Sequence, residues 1–392
     1  MEEDLNLTNC SCQVVSEVEL WVSFILREVS IPLVGSVGVV GNLAAIIVLI
    51  HPDMKSTFHQ SLVTLAVFEI LFLILQICSN GAHLKSELYL VLFPYFLYPL
   101  KSILISCESY LLVSIALERL IAVARPLWYR NASLRLSSWR HGLVFILPTL
   151  IISVGLNIPK FFELQLFSVN VTDSNNVTRE LRDFEVTRMR LNPDYIYYYI
   201  HWTRSLGTGV FPILFLLVTN ISIYFSLKRQ RSSPSLSISS ERHESVALAN
   251  LASTRKFSVF SELLRLTNAR AEINGLLTQD QIIQNSKSLT HSAVTLTAIV
   301  MMYIVCNLPR LVVNLAESLY QSHLYQDYAQ CACVSSVQWL EVSVRLNHFL
   351  LTINSSANFI IYWSVGKKFQ STLCRRAKGM KYRIQSCFSW KQ

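Results

Sequence analysis

The chain has 392 residues, of which 52% are hydrophobic and 15% charged, and its mean hydropathy is +0.39. It is more apolar than ordinary soluble domains, so we expect an integral membrane protein. The net charge of +9 does not indicate nucleic acid binding, because the basic residues gather in segments predicted to face the cytosol, where membrane orientation and anionic lipid account for them. The first residues are acidic and polar rather than a cleavable signal, so the first membrane helix is expected to act as its own insertion signal.

The first 28 residues are predicted to be an extracellular terminus. They carry N-glycosylation sequons at Asn6 and Asn9, which fits an exposed external segment. Helix 1 is predicted from about Ile31 to Ile50 and contains Asn42. An asparagine within hydrocarbon needs a hydrogen-bond partner on a neighbouring helix, so we expect Asn42 to join helix 1 to the rest of a bundle.

Two acids are expected at similar depth in helices 2 and 3. Helix 2 is predicted from about Ser61 to Cys78 and carries Glu69, and helix 3, predicted from Pro94 to Pro126, carries Glu108. Two buried carboxylates this close do not both ionise at low cost unless a cation lies between them. Two interpretations stay open: the pair binds a cation, or it shares a proton.

Charged residues mark one inward face of helix 3. Lys101, Glu108 and Arg119 are seven and eighteen residues apart, and about 100° of rotation per residue places them on one side of a helix. Such charges face protein or water rather than lipid. A basic loop follows Pro126, so this end of helix 3 is expected in the cytosol.

The middle of the chain predicts two further spans around a polar loop. Helix 4 is predicted from about Gly142 to Leu156, and helix 5 from about Leu206 to Leu227. The loop between them reaches about Asp194 and bears sequons at Asn170 and Asn176, so it is placed outside. Residues 228–287 then form a long cytoplasmic loop, either flexible throughout or containing a partner-binding amphipathic helix.

The last two spans carry a proline and a polar face. Helix 6 is predicted from about Thr290 to Val313 and bends at Pro309, which lacks an amide donor. Helix 7 is predicted from about Val337 to Trp363. Its asparagines and tyrosine at spacings of seven, four and four form one inward polar stripe: Asn347, Asn354, Asn358 and Tyr362.

The tail, residues 366–392, begins with an amphipathic segment that we expect to lie on the inner membrane surface, with Cys374 as a palmitate site. The predicted fold class is therefore an all-α membrane protein. It is a seven-transmembrane helix bundle over residues 29–365 with a short cytoplasmic membrane-surface helix.

Five motifs in order resemble those of rhodopsin-like (class A) G-protein-coupled receptors. They are Gly41-Asn42, the Leu-Ala-x-x-acid ending at Glu69, Glu118-Arg119-Leu120, Cys306-Asn307-Leu308-Pro309, and Asn354-Ser-Ser-Ala-Asn358 with Tyr362. The chain departs from the family pattern at Leu120, Asn307 and Phe359, where the family has Tyr, Trp and Pro. The loss of Trp puts the family's aromatic switch in doubt, whereas the proline bend is kept.

Three segments look like invertebrate FMRFamide-peptide receptors in particular. They are Asn157-Ile-Pro159-Lys-Phe-Phe-Glu163, Phe93-Pro94-Tyr95-Phe96-Leu97-Tyr98-Pro99, and the Asn-Ser-Ser-Ala-Asn of helix 7. The resemblance implies a multi-pass plasma-membrane receptor, not an enzyme, with an external amino terminus and an amidated, FMRFamide-like neuropeptide as ligand. Its implied partners are a heterotrimeric G protein, arrestin and membrane lipid. The alternatives are a chemosensory or other peptide receptor and, outside the family, a seven-helix transporter or channel.

The resemblance also implies roles for single residues. Coupling and activation would fall to Glu118, Arg119, Pro309, Asn358 and Tyr362. A buried polar pocket, with a sodium ion as its candidate occupant and no other cofactor or metal expected, would comprise Asn42, Glu69, Glu108, Asn354 and Ser355. Because an Arg-Phe-amide offers one cation and one ring, the ligand residues chosen are Lys101, Tyr198, Trp202, Glu317 and Glu341. Lys101 either binds a peptide carboxylate or pairs with Glu108 or another acid.

Cysteines are where the chain departs furthest from the family. Most relatives tie the outer end of helix 3 to the second external loop, but here no cysteine lies near Pro94 or between Cys107 and Cys306. The external cysteines are instead Cys10, Cys12, Cys331 and Cys333. Pairing within each Cys-x-Cys is strained, so the two connectivities that join the amino terminus to the loop before helix 7 are favoured. The alternative is that these thiols stay free.

Overall fold

The computed structural model describes residues 16–54, 56–80, 87–125, 129, 138–172, 178–232, 289–316, 338–366 and 368–376. Within them, six helices are long and apolar enough to cross a membrane, and a seventh of 28 residues completes the bundle. The helices are α1 Glu17–Leu49, α2 Thr57–Asn80, α3 Glu87–Ala124, α4 Ser138–Asn157, α5 (Pro193–Tyr195, Ile196–Val210 and Phe211–Ser232), α6 Leu289–Ala316, α7 Gln338–Val365 and the short α8, 368–376.

α3 is the central helix of the bundle. It packs against α2, α4 and α5, while α1 packs against α2 and α7. Large apolar residues of α2, α3, α5 and α6 form the core, and many outward-facing residues, such as Val37 and Val40 of α1, are exposed apolar side chains. Apolar residues on both the inner and the outer side of a helix are expected where lipid replaces water.

Gly38 shows how closely α1 approaches its neighbours. A Cβ atom at this position would lie 2.1 Å from the Ser356 hydroxyl of α7 and 2.8 Å from a methyl of Leu73 of α2. Only glycine fits such a separation without displacing one of these helices. Ser356 uses the close approach to donate from its Oγ to the Val34 carbonyl of α1 at 3.1 Å.

Three helices contain π-helical turns, in which each turn holds one residue more than in an α-helix. They are Ile25–Ser30 in α1, Phe93–Leu97 in α3 and Ile196–Val210 in α5. The extra residues rotate the faces of each helix relative to a regular α-helix. The long π-helical segment of α5 therefore decides which of its aromatic residues face the bundle.

A two-stranded antiparallel hairpin lies between α4 and α5. β1, Leu164–Thr172, pairs with β2, Thr178–Val186, in a register that places Leu164 opposite Val186. The hairpin rests on the start of α3, where the ring of Phe184 lies 4.7 Å from that of Phe93. We call this side of the bundle the hairpin end, and the opposite side, where α3 finishes, the Arg119 end.

The predicted spans were confirmed as helices, but several start earlier than predicted. α1 begins at Glu17, within the segment predicted to be an external terminus, and α5 begins at Pro193 rather than near Leu206. Polar and aromatic residues lower the hydropathy of these helix ends, so the apolar pattern alone misses them. The hairpin was not predicted, because its sequons and charges indicated an irregular loop.

Candidate functional site

Arg119 is held by the acid that precedes it. Its Nη2 donates to Glu118 Oε1 at 2.7 Å, and the two side chains are 7% and 1% exposed. Tyr129, from the segment after α3, donates its hydroxyl to the same carboxylate oxygen at 2.5 Å and accepts from Arg119 Nη2 at 3.1 Å. Glu118, Arg119 and Tyr129 therefore form a closed triad at the Arg119 end.

The surroundings of the triad strengthen it. The guanidinium of Arg119 lies 4.9 Å from the ring centroid of Phe58 on α2, a cation–π contact. Burial, together with the charge of Glu118, raises the pKa of Tyr129 to about 12, so this hydroxyl stays protonated and keeps donating.

A cavity of about 390 Å³ adjoins the triad. α2, α3, α6, α7 and α8 all contribute to its wall. Arg119 forms one side, and the polar groups His59, His291 and Lys368 line the others; Tyr362 lines it from α7. Movement of α6 or release of Arg119 would therefore change the shape of this cavity.

α7 is joined to both buried acids. Asn354 Nδ2 donates to Glu108 Oε1, and Asn358 Nδ2 donates to Glu69 Oε1. Ser355 adds a longer contact, from its Oγ to Glu108 Oε2 at 3.3 Å. Each carboxylate thus has its own amide donor on α7, and the second oxygen of Glu69 is buried with no hydrogen-bond partner.

Asn42 connects α1 to the same part of α7. It is fully buried, and its Nδ2 donates to the Ser355 carbonyl at 2.8 Å. This is the interhelical partner that an asparagine in hydrocarbon was expected to need. Four of the residues chosen for the polar pocket, Asn42, Glu108, Asn354 and Ser355, therefore lie in one buried network, and the fifth, Glu69, is joined to α7 separately through Asn358.

A second polar network lies at the hairpin end, around Glu163. Its Oε2 accepts from Tyr98 at 2.6 Å, from Lys160 at 2.7 Å and from Arg190 at 2.5 Å, while its Oε1 accepts from Tyr195 at 2.8 Å. The side chains of Glu163 and Lys160 are both 0% exposed. We call these five residues the Glu163 node; it joins α3, the end of α4, the segment after the hairpin and α5.

The node keeps Glu163 ionised. Burial alone would raise the pKa of its carboxyl, but the positive charges of Lys160 and Arg190 outweigh it and lower the pKa to about 2. A buried carboxylate surrounded by four donors is fully hydrogen-bonded, so it is not available as a partner for any further cation.

Two of the chosen ligand residues, Tyr198 and Trp202, are 66% and 44% exposed. Two other tyrosines of α5 donate hydrogen bonds to neighbouring segments: Tyr195, just before the π-helical segment, donates to Glu163 Oε1, and Tyr199, within it, donates to the Leu156 carbonyl. The ion pair considered for Lys101 is absent among the described residues.

Other predictions lie outside the described residues. They concern the acid at Glu317, the side chain of Glu341, the sequons at Asn6, Asn9 and Asn176, the side chain of Asn170, the four cysteines Cys10, Cys12, Cys331 and Cys333, and the long loop. Cys374 is described: it is a free, exposed cysteine on α8. Within the described ranges there is no group of three or more His, Cys, Asp or Glu side chains placed to hold a metal ion.

The arrangement of a central α3 ending in an acid–arginine pair, and of an α7 carrying a buried asparagine stripe, agrees with a comparison to known families. Residues 41–362 match the 7 transmembrane receptor (rhodopsin family). The chain belongs to this family. It is therefore a multi-pass membrane receptor rather than an enzyme, and the family implies a ligand and a G protein.

Individual receptors of the family are similar to the chain at low identity. It is 23% identical to the FMRFamide receptor of Drosophila melanogaster over 91% of its own length and 53% of that protein. It is 26% identical to the FMRFamide peptide receptor frpr-18 of Caenorhabditis elegans over 86% of its own length and 66% of that protein. A probable G-protein coupled receptor of C. elegans, frpr-1, is 21% identical over 92% of the chain and 81% of that protein. The chain thus spans about half the length of the first relative and about two thirds of the second.

Several residues of this rhodopsin-family receptor were not chosen from the sequence. Lys160 and Glu163 of the Glu163 node were noted only as part of a family motif. They stand three residues apart at the end of a span, a spacing that favours an ion pair. Arg204 and Arg310 were missed as well, although a charge within an apolar span is itself a sign of function. Tyr129 carried no such signal, because its role depends on how the chain turns after α3.

Proposed function

We propose that this receptor binds an extracellular neuropeptide, of the FMRFamide type and amidated, and transmits binding to a heterotrimeric G protein. The family supports a receptor that acts on a G protein. The peptide class is supported by two relatives, which are named as FMRFamide receptors, and by the segments that resemble such receptors in the sequence. Because the identities are low, the ligand needs its own test.

The proposed orientation places the hairpin end outside the cell and the Arg119 end in the cytosol. The sequons at Asn170 and Asn176 lie on the hairpin side, whereas arginines follow α3 at the other end. In this orientation residues 1–28 include the external terminus, and residues 366–392 form a cytoplasmic tail. The long cytoplasmic loop follows α5, which runs to Ser232, so it begins later than the predicted position 228. α8 then lies at the inner membrane surface, where the exposed Cys374 can take a palmitate.

The observation that carries the proposal is the position of Arg119. It forms one wall of the cavity of about 390 Å³ and is held there by Glu118 and Tyr129. A signalling residue needs a bound state that ligand binding can release, and a buried, charge-assisted contact beside an accessible cavity meets this need. We infer that the closed triad is the resting state and that the cavity widens to accept a helix of the G protein.

The transmission step is a shift in population toward a state with α6 displaced. Pro309 cannot donate to the Val305 carbonyl, which weakens α6 at this point. In the resting state the cytosolic half of α6 is held by Thr297, whose Oγ1 donates to Asn220 Oδ1 of α5 at 3.2 Å. Tyr303 also donates to Ser109 Oγ of α3 at 2.8 Å.

α7 carries the same change to the cavity. Asn358 is held by Glu69, and Tyr362, which lines the cavity, is buried with a hydroxyl that has no hydrogen-bond partner. A hydroxyl without a partner is available for a new contact when Arg119 leaves Glu118. Release of Arg119 and rearrangement of Tyr362 and Asn358 would then be one event.

The proposal is tested by screening amidated peptides, including Phe-Met-Arg-Phe-amide, for nucleotide exchange on G proteins in membranes of cells expressing the full-length receptor. Arg119→Ala should abolish exchange but keep surface expression and peptide binding, because the side chain acts at the cytosolic end. The matched control is Arg125→Ala, an exposed arginine six positions further on, which should signal normally. Full signalling by Arg119→Ala would refute the assignment of Arg119, and a ligand-independent current in place of exchange would refute the receptor mechanism.

A further inference from the structure

Basic side chains from four helices act on one histidine, His348 of α7. Lys101 of α3, Arg204 of α5, Arg310 of α6 and Arg345 of α7 all lie within electrostatic reach of His348. Arg204 and Arg310 also act on each other. We call these five residues the basic cluster. Each of four helices that surround the proposed peptide site contributes at least one of its members.

Three members of the cluster lack an ion-pair partner in the part of the chain that the structure describes. Among the described residues, Lys101, Arg204 and Arg310 make no ion pair. Arg310 is 7% exposed, and its Nη1 is buried without a hydrogen-bond partner. The Nδ1 of His348 is likewise buried and without a partner. A buried cation is costly unless it is paired, so a counter-anion is expected from outside the described chain.

The two described acids nearest to the cluster are already occupied. Glu163 accepts from four donors of its node. Glu108 lies within electrostatic reach of Arg310, but its oxygens accept from Asn354 and Ser355 of α7. The single carboxylate of Glu108 does not balance the positive charges of Lys101, Arg204 and Arg310.

We propose that the basic cluster is an anion subsite of the ligand pocket, and that Lys101, Arg204 and Arg310 bind a carboxylate of the peptide. The carboxylate comes either from an acidic side chain or from a carboxyl terminus that is not amidated. Arginine suits this role because its planar fork of donors matches a carboxylate. The inference rests on the proposed function, since it concerns the same peptide site.

The subsite also constrains how an Arg-Phe-amide end would bind. Its guanidinium would be repelled by the cluster, so the arginine end of such a peptide must lie elsewhere, and the acidic part must reach the cluster. Glu317 and Glu341, chosen from the sequence, stay the candidates for the peptide arginine. The competing explanation is that these two acids neutralise Arg310 and Arg345 within the receptor itself.

Four matched peptides separate these possibilities: Asp-Phe-Met-Arg-Phe and Asn-Phe-Met-Arg-Phe, each as free acid and as amide. Nucleotide exchange is measured on the full-length receptor in membranes. We expect a version that carries a carboxylate to act at a concentration at least about tenfold lower than the Asn amide, which has none. Preference for the Asp amide identifies a side chain as the source, and preference for the Asn free acid identifies the carboxyl terminus. Equal potency of all four peptides would overturn the proposal while leaving a peptide receptor intact.

Variants of Arg310 connect the preference to the cluster. Arg310→Gln should lose the preference for peptides that carry a carboxylate but should still respond to the Asn amide. Arg310→Lys should retain part of that preference. Arg182→Gln, on the exposed hairpin, is the control and should behave as wild type. An unchanged charge preference in Arg310→Gln would overturn the assignment.

A ligand-free measurement decides the matter even if none of the four peptides acts. In the purified full-length receptor, Arg310→Gln should raise the apparent unfolding temperature, because it removes a buried cation without a partner. Arg190→Gln, which breaks a pair with Glu163, should lower it. If Arg310→Gln lowers the temperature as much as Arg190→Gln, an internal acid already pairs with Arg310 and the subsite is refuted. A rise in temperature without any active peptide would support the subsite and count against the peptide class alone.

Discussion

The hydroxyl of Tyr98 donates to Glu163 Oε2 across 2.6 Å and thereby joins the start of α3 to the segment that leads into the hairpin. Most relatives are expected to make this connection with a disulfide, and here there is no cysteine near Pro94 and none between Cys107 and Cys306. Lys160, Arg190 and Tyr195 complete the contact. A polar node thus occupies the place where a covalent bond is missing.

Removing the carboxylate of the node should destabilise the receptor. Glu163→Gln leaves Lys160 buried without its counter-charge, and breaking a buried pair from one side costs about 3–5 kcal/mol. We expect a lower unfolding temperature in detergent and less receptor at the cell surface. Glu180→Gln, which breaks an exposed pair with Arg182 on the hairpin, is the control and should change neither by much. An unchanged unfolding temperature in Glu163→Gln would show that the node does not hold the hairpin end together.

The node should also make stability depend on pH in acid. The pKa of Glu163 is lowered to about 2 in the folded protein, against roughly 4.3 in an unfolded chain. Its contribution is therefore fully present above the unfolded value and is lost as the pH falls through the folded value. The difference in unfolding temperature between wild type and Glu163→Gln should shrink between roughly pH 5 and pH 2. A difference that stays constant over this range would contradict the assignment.

The features that could be predicted from the sequence are those in which a polar group would cost much free energy if it faced lipid. Asn42, Asn354 and Asn358 are polar groups in hydrocarbon, so their inward position was expected, and for Asn42 a partner on another helix was expected as well. The resemblance to the receptor family pointed to Glu118 and Arg119 as coupling residues, and the two side chains are in contact. The hydropathy of the spans predicted all seven helices, although not the full length of α1 and α5.

What could not be predicted depends on rotation and on distant contacts. The segment Ile196–Val210 of α5 is π-helical, and no local pattern in the sequence indicated it. The Glu163 node brings together four separate segments, so it exists only once the helices are packed. The cluster around Arg310 is similar, because each charge alone resembles an isolated residue near the end of a span.

Freeing Arg119 should raise signalling without ligand. Glu118→Gln keeps the size of the side chain but removes the charge that holds Arg119 and Tyr129. Charge-assisted hydrogen bonds of this kind contribute about 1.5–3 kcal/mol, so basal nucleotide exchange should rise at least severalfold. Tyr129→Phe, which removes only the hydroxyl, should give a smaller rise. Basal exchange equal to that of wild type in Glu118→Gln would mean that the triad does not restrain the receptor.

Glu69→Gln should decide whether the buried acids bind sodium or exist in a protonated, hydrogen-bonded form. Glutamine keeps the oxygen that accepts from Asn358, so we expect the unfolding temperature to be kept. Glu69→Ala leaves the Asn358 amide without an acceptor and should lower it by a few degrees, in line with a cost of about 1–3 kcal/mol. Because each acid already has an amide donor on α7, replacing choline chloride by sodium chloride at equal ionic strength should affect wild type and Glu69→Gln alike. Stabilisation by sodium in wild type alone would establish a cation site instead.

The orientation of the bundle can be tested with the sequons. Asn170 lies on β1 of the hairpin, and the sequon at Asn176 comes six residues later in the sequence, so both should carry glycans if the hairpin end is outside, together with Asn6 and Asn9 in the amino-terminal segment. Asn131 follows α3 at the Arg119 end, and Asn220 and Asn354 are within helices, where their side chains donate to the Leu216 carbonyl and to Glu108. Single Asn→Gln variants of the first four should each lose the mobility shift produced by one glycan.

The Asn131→Gln variant is the decisive control in that series. The Asn131 sequon is as complete as the others, but the proposed orientation places it in the cytosol. The variant should migrate as wild type both before and after glycosidase treatment. Glycan transfer requires the luminal side of the membrane, so a glycan on Asn131 together with none on Asn170 or Asn176 would invert the topology. Arg119 and the cavity beside it would then face away from any cytosolic G protein, and the proposed coupling site would have to be abandoned.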